Sequence, residues 1–242
     1  MTAIGSLPRH RGRGRPAVEE PACSFARGMN YYKLFWVFFL CSFLGAVVET
    51  IFMFLTRGEI QDRSSVIYGP FSLVWGMGAV LFTLCFHRLA GRRDLLIFIG
   101  GTVLGGSYEY LCSWGQEVLF GARFWNYSHI PFNINGRVCL LYAMFWGVAA
   151  VVWIKDLYPR LCALIGRIPR RAGVPLTWML TLFMLFDILI SAAALSRWEA
   201  RQMGAPPANA VEEALDRHFP DERLYRDFST LTFVGEGGRA GP

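Results

Sequence analysis

The chain has 242 residues, of which 54% are apolar and only 17% charged, with a net charge of +6. A water-soluble domain of this length would carry roughly a quarter charged residues. A soluble enzyme is therefore excluded, and so is a nucleic-acid-binding domain, because the basic residues flank apolar runs and do not build one charged face. Of the 24 basic residues only Lys33 and Lys155 are lysines. The six cysteines form no C-x-x-C pair and read as small apolar side chains. The four histidines have no metal-ligand spacing, so neither a metal nor a cofactor is expected.

Residues 1–28 are rich in Arg, Gly and Pro and read as a disordered leader. Met29, just before the first apolar run, is a candidate for the native start. A hydrocarbon core of about 30 Å needs about 20 apolar residues per helix. Five runs meet that length: helix 1 over 31–55, helix 2 over 66–89, helix 3 over 95–120, helix 4 over 138–157 and helix 5 over 175–196. The first run is too long for a signal peptide's core and has no small-residue cleavage site after it. The fold expected is an all-α polytopic membrane protein of about five transmembrane helices. The membrane domain covers 29–197. A polar extracytoplasmic tail takes 198–242, with a short helix opening at Asn209-Ala210-Val211-Glu212.

Basic residues near the helix ends set the orientation. The leader, the 2–3 connector and the 4–5 connector together carry thirteen, against four on the other side: Arg57, Arg63, Arg123 and Arg137. The N-terminus is expected in the cytoplasm, the tail outside, and the protein in the plasma membrane.

Ionisable residues inside membrane helices mark function or helix locking, since a charge at mid-bilayer costs roughly 2.5–3.5 kcal/mol. Glu49 in helix 1, Glu109 in helix 3 and Asp187 in helix 5 stand out. Ser42, Gly45 and Glu49 share one helical stripe; Gly101, Gly105, Glu109 and Gln116 share another, and Gly101 and Gly105 form a G-x-x-x-G contact step. Glu49 falls about 8 Å past the middle of helix 1. With Glu109, Tyr68 and Arg137 it converges on the outer half of the membrane, where a polar vestibule is expected. Residues 121–137, GARFWNYSHIPFNINGR, read as an interfacial or partly re-entrant loop over it. Trp125 and Tyr127 suit an interface, and Asn126, Asn133 and Asn135 can satisfy irregular backbone. Each acid has a plainer reading as a helix-to-helix hydrogen-bond partner.

The runs Tyr68-Gly69-Pro70-Phe71, Trp75-Gly76-Met77-Gly78, Trp125-Asn126-Tyr127-Ser128, Pro131-Phe132-Asn133, Gly136-Arg137 and Phe145-Trp146-Gly147 together resemble one family. It is the ABC-transporter type IV family of CmpB-like bacterial membrane proteins, and the resemblance covers residues 31–160. Asn126 stands where that family's motif has an aspartate, and Trp75 where tyrosine is common.

The resemblance implies a multi-pass permease component of a transport system of unstated substrate, with Glu49 and Glu109 where the family carries acids. Expected partners are the bilayer, a homodimer or second membrane subunit and a separate ATPase, with no nucleic acid. The chain has no G-x-x-x-x-G-K-[ST] loop of its own. The site candidates, for substrate binding or helix locking, are Glu49, Tyr68, Glu109, Trp125, Asn126, Tyr127, Asn133, Arg137 and Asp187. No nucleophile–base set is visible, so no enzyme is expected. The alternatives are a sensor, an assembly factor, a lipid head-group binder and, less favoured, an intramembrane enzyme.

Overall fold

The computed structural model describes residues 24–58 and 62–234. The chain is an all-α polytopic membrane protein. Among the described residues four helical stretches are long and apolar enough to cross a bilayer: Tyr31–Thr56, Asp94–Phe120, Leu140–Gly166 and Arg170–Gln202. Their outward faces are greasy, with Val48, Phe52, Leu95, Val103, Leu119, Leu182 and Leu189 all more than half exposed. That pattern suits lipid, because in water each such side chain would forgo about 1.5–3 kcal/mol of burial. The interior holds small and hydroxylic residues, among them Ser42, Gly76, Thr83, Gly105, Gly147 and Thr177, as close helix packing in lipid requires.

α1 (Tyr31–Arg57) is capped by Asn30, whose side chain accepts from the Lys33 amide at 2.9 Å, and ends on Gly58 at φ +74°. α2 (Leu73–Phe86) is shorter than helix 2 as read from the sequence and continues only through a tight turn to Leu89. Its first seven expected residues are irregular. Pro70 has no N–H to donate, and Gly69 takes φ +95°. α3 (Asp94–Phe120) returns. α4 (Leu140–Val152) runs through one wide turn, Trp153–Leu157, into α5 (Tyr158–Gly166), and α6 (Arg170–Gln202) makes the last pass.

Side-chain pairs fix which helix ends lie together. Tyr31 on α1 bonds Thr181 on α6, and Lys155 after α4 reaches Asp94 at the start of α3. The opposite end gathers the ends of α1, α3 and α6 and the chain after Gln202. The start of α1 and that tail therefore sit at opposite ends of the bundle. Of the leader, residues 1–23 lie outside the described residues. Phe25 and Ala26 are buried, with Phe25 against Gly173 of α6, so the packed domain begins before Met29.

The α1–α2 and α3–α4 hairpins repeat one framework. Phe38, Ser42, Gly45 and Glu49 on α1 have counterparts of identical spacing in Phe98, Thr102, Gly105 and Glu109 on α3. Trp75-Gly76 on α2 matches Trp146-Gly147 on α4. The packing matches too. A Cβ on Gly45 would strike the base of Trp75, and one on Gly105 the base of Trp146. A Cβ on Gly76 would strike Ser42 and the Phe38 carbonyl, and one on Gly147 would strike Thr102 and the Phe98 carbonyl. The glycines are thus the holes that receive the facing helix. Such same-sense duplication is a recurring plan in transporters.

The tail folds back onto the end of the bundle. α7 (Ala210–His218) is capped by Asn209, which accepts from the amides of Val211 and Glu212, and α8 (Asp221–Asp227) follows. Trp198, Phe219, Leu224 and Phe228 form a buried cluster. A two-residue strand, Thr232–Phe233, pairs antiparallel with Ala122–Arg123 after α3.

Candidate functional site

Between the two hairpins, in the half nearer the tail, lies a cavity of about 350 Å³. Its walls hold both repeat glutamates, both repeat tryptophans, Arg63, Gln116, Trp125, Tyr127, Tyr142 and Thr230 of the tail. The Trp75 indole donates to Glu49 Oε2 at 3.1 Å, and the Trp146 indole donates to Glu109 Oε2 at 3.2 Å. The two indoles lie against each other, 5.5 Å between centroids. The repeat thus places two equivalent carboxylate–indole pairs around one space.

The remaining partners break the symmetry. Glu49 Oε1 accepts from Arg63 Nε at 2.9 Å and Nη2 at 2.6 Å. Glu109 Oε1 accepts from the Tyr127 hydroxyl at 2.9 Å and is only 5% exposed. Burial, with the charge of Glu109 beside it, pushes the Tyr127 phenol far above its ordinary range, so it stays an O–H donor. Among the described residues Glu109 has neutral donors and no cation. The sequence explains the difference. Arg123 follows Glu109 at the spacing by which Arg63 follows Glu49, but Arg123 is captured by Glu117 at 2.5 Å. The counterpart of Glu117 in the first hairpin is Arg57, so no acid there competes with Glu49 for Arg63.

Gln116 lies two turns beyond Glu109 on α3. Its Oε1 is buried and has no partner, an orphaned acceptor of the kind that calls for explanation.

The loop 121–139 is more ordered than its sequence reading. Asn133–Ile134 pairs with Val138–Cys139, and Asn135 (φ +53°) with Gly136 (φ +68°) makes the tight turn between them. Asn126 accepts from the Ser128 amide, and Asn133 bonds the Ile130 carbonyl and the Gly136 amide; both shape the loop and neither lines the cavity. Trp125 donates to the Arg137 carbonyl at 2.9 Å. The loop folds back so far that Tyr127 reaches Glu109, about three turns below the end of α3.

Of the nine candidates, Glu49, Glu109, Trp125 and Tyr127 meet at the cavity. Arg137 is buried beside it, bound to Glu117 at 2.8 Å and to neither cavity glutamate. Asp187 and Tyr68 belong to another device. Residues 62–72 are irregular backbone deep in the bundle: the Ser72 amide donates to the Ser42 carbonyl, about 22 Å from the end of α1. Such backbone must be satisfied internally. The Tyr68 amide donates to Asp187 Oδ1 at 3.0 Å, and the Ile67 amide to Ser191 Oγ at 2.9 Å. Asp187 is thus an acceptor for a broken helix entry, and the Tyr68 ring lies outside against Phe186. Sequence reasoning left out Trp75, Trp146, Arg63 and Gln116 as site residues. The signal for the first two was present: each precedes a glycine, at matching places in two hairpins that each carry one buried glutamate.

Comparison with curated proteins and with solved structures gives no match. The family model described as Putative ABC-transporter type IV matches residues 36–192. That span holds the second hairpin, the first from Trp36 onward, the broken entry to α2 and all but one of the cavity residues named above. The chain belongs to this ABC-transporter-related family of membrane proteins.

Proposed function

We propose that the chain is the permease subunit of a transport system and that the cavity between its hairpins receives the substrate. The observation that supports this most is Glu109: a buried carboxylate with no cationic partner, facing a cavity, between two repeated helical hairpins. An acid that only locks helices together has no need to line a cavity. The basic-residue bias supports an N-terminus in the cytoplasm of a bacterial cell and a cavity in the outer half of the plasma membrane. The turn from Lys155 to Arg171 then faces the cytoplasm and suits docking of a separate ATPase, since the chain carries no nucleotide-binding loop of its own. A homodimer or second membrane subunit would complete the path. The reading is of a non-enzymatic protein: the cavity offers acids and donors but no nucleophile–base pair.

The test is affinity purification from native membranes followed by identification of bound proteins. An ATPase carrying a phosphate-binding loop is the expected companion, and it should be lost when Arg167, Arg170 and Arg171 are all changed to Ser. Recovery without any ATPase, from several detergents, contradicts the transport reading. It leaves the alternative of a sensor, assembly factor or lipid head-group binder built on the same cavity.

A further inference from the structure

We infer that the cavity takes an organic monocation bearing N–H donors, a protonated amine. Its ammonium head lies between Glu49 and Glu109, and its carbon body lies against Trp75 and Trp146. The inference deepens the transport reading and rests on it only for treating the cavity as a ligand site.

Three observations carry it. The first is charge. Glu49 is met by the Arg63 guanidinium. Glu109 has no such partner among the described residues: its bonds come from a phenol and an indole. A cation favours the ionised form of such a carboxyl, an anion opposes it, and a neutral solute does neither.

The second is hydrogen-bond polarity. The donors nearest the two glutamates are already used: Trp75 on Glu49, Trp146 and Tyr127 on Glu109. Each carboxylate still has an unused lone pair, so a ligand seated between them satisfies it only by donating. The third is the lining. Trp75 and Trp146 line the cavity, and indole rings attract ammonium groups within about 6 Å. A bare divalent metal ion fits poorly, since it wants six or more oxygens and no group of three or more ligating side chains is gathered among the described residues. The volume, about 350 Å³, suits a small organic molecule.

The test uses the full chain in maltoside micelles, titrated calorimetrically with n-butylammonium, tetramethylammonium and n-butyrate. Butylammonium should bind. Tetramethylammonium, a cation without N–H, should bind about tenfold more weakly. Butyrate should give no binding. Glu109→Gln should weaken butylammonium by about tenfold or more. Binding of butyrate as tight as butylammonium overturns the inference, as does no binding of butylammonium to the unaltered protein. Neither result depends on a variant folding.

The two proposals fail separately. An ATPase-coupled system whose permease binds butyrate keeps the transport reading and removes the amine. Amine binding with no ATPase companion does the reverse. Adding phosphatidylethanolamine to the micelles identifies the source. Competition with butylammonium assigns the ammonium to a lipid head group, and no competition assigns it to a free amine.

Discussion

In the first hairpin the buried glutamate, Glu49, is met by a guanidinium; in the second, Glu109 is met by a phenol and an indole. Around these acids the two hairpins are alike in their glycines, their tryptophans and the contacts between them. The difference arises several residues away. Glu117 diverts Arg123 and Arg137, and the loop that Arg137 anchors delivers Tyr127 to Glu109. A duplicated framework has thus become a site with one compensated and one uncompensated carboxylate. Asymmetry of charge on a symmetric scaffold gives a ligand one preferred way to sit.

The largest effect should come from removing that asymmetry. Glu109→Gln should lower ligand binding or uptake by tenfold or more, equivalent to about 1.4 kcal/mol or greater. Glu49→Gln should also impair it, by leaving Arg63 free to neutralise Glu109. Adding Arg63→Gln to Glu49→Gln should then restore part of the loss, the share that Arg63 causes by turning to Glu109. No rescue at all in the same assay would show that Arg63 does not turn to Glu109.

Next comes the entry to α2, which has no equal in the second hairpin. Asp187→Leu removes the acceptor for the buried Tyr68 amide and should cost about 1–3 kcal/mol of stability. Asp187→Asn keeps an acceptor and should stay near wild type. A thermal melt in detergent separates the two; equal losses would mean that Asp187 matters for its charge.

The repeat itself predicts a matched pair. Gly45→Ala and Gly105→Ala should each destabilise by about 1–3 kcal/mol, because the new Cβ meets a tryptophan base. Gly115→Ala, which meets nothing within 4 Å, should stabilise by about 0.5–1 kcal/mol. A harmless Gly105→Ala would remove the packing equivalence of the hairpins.

The smallest effect concerns the tail. Burial opposes ionisation of Asp216, but hydrogen bonds from Arg197 and Arg201 outweigh it and hold the carboxyl below its usual range. A lowered folded value means the contribution is fully present above the ordinary carboxylate range and is lost as pH falls through the folded value. Protease resistance of the tail should therefore hold down to that range and fail below it. Asp216→Asn should expose the tail already at neutral pH, while a tail equally resistant in both proteins would mean that the apolar cluster around Trp198 alone holds it.

The helical bundle was readable from apolar run length, because a bilayer demands it. Glu49 and Glu109 were readable because charge in lipid is expensive. Asp187 was visible for the same reason, but its partner was not: a backbone amide in residues 62–72 gives no side-chain signal, and Pro70 alone warned that helix 2 would start late. Arg137 looked like a partner for the glutamates because it shares their depth. Only the positions of Glu117 and Arg123 decide that it turns away. Trp75 and Trp146 were noticed as motif letters, and their role depended on aligning one hairpin with the other.

The most direct measurement is native mass spectrometry of the protein released from its own membranes, comparing wild type with Glu109→Gln and with Arg160→Gln, an exposed side chain away from the cavity. A small-molecule adduct present on wild type and Arg160→Gln but missing from Glu109→Gln supports a ligand site centred on the uncompensated carboxylate. Adducts that are the same on all three proteins, or that vanish only with Arg160→Gln, contradict it.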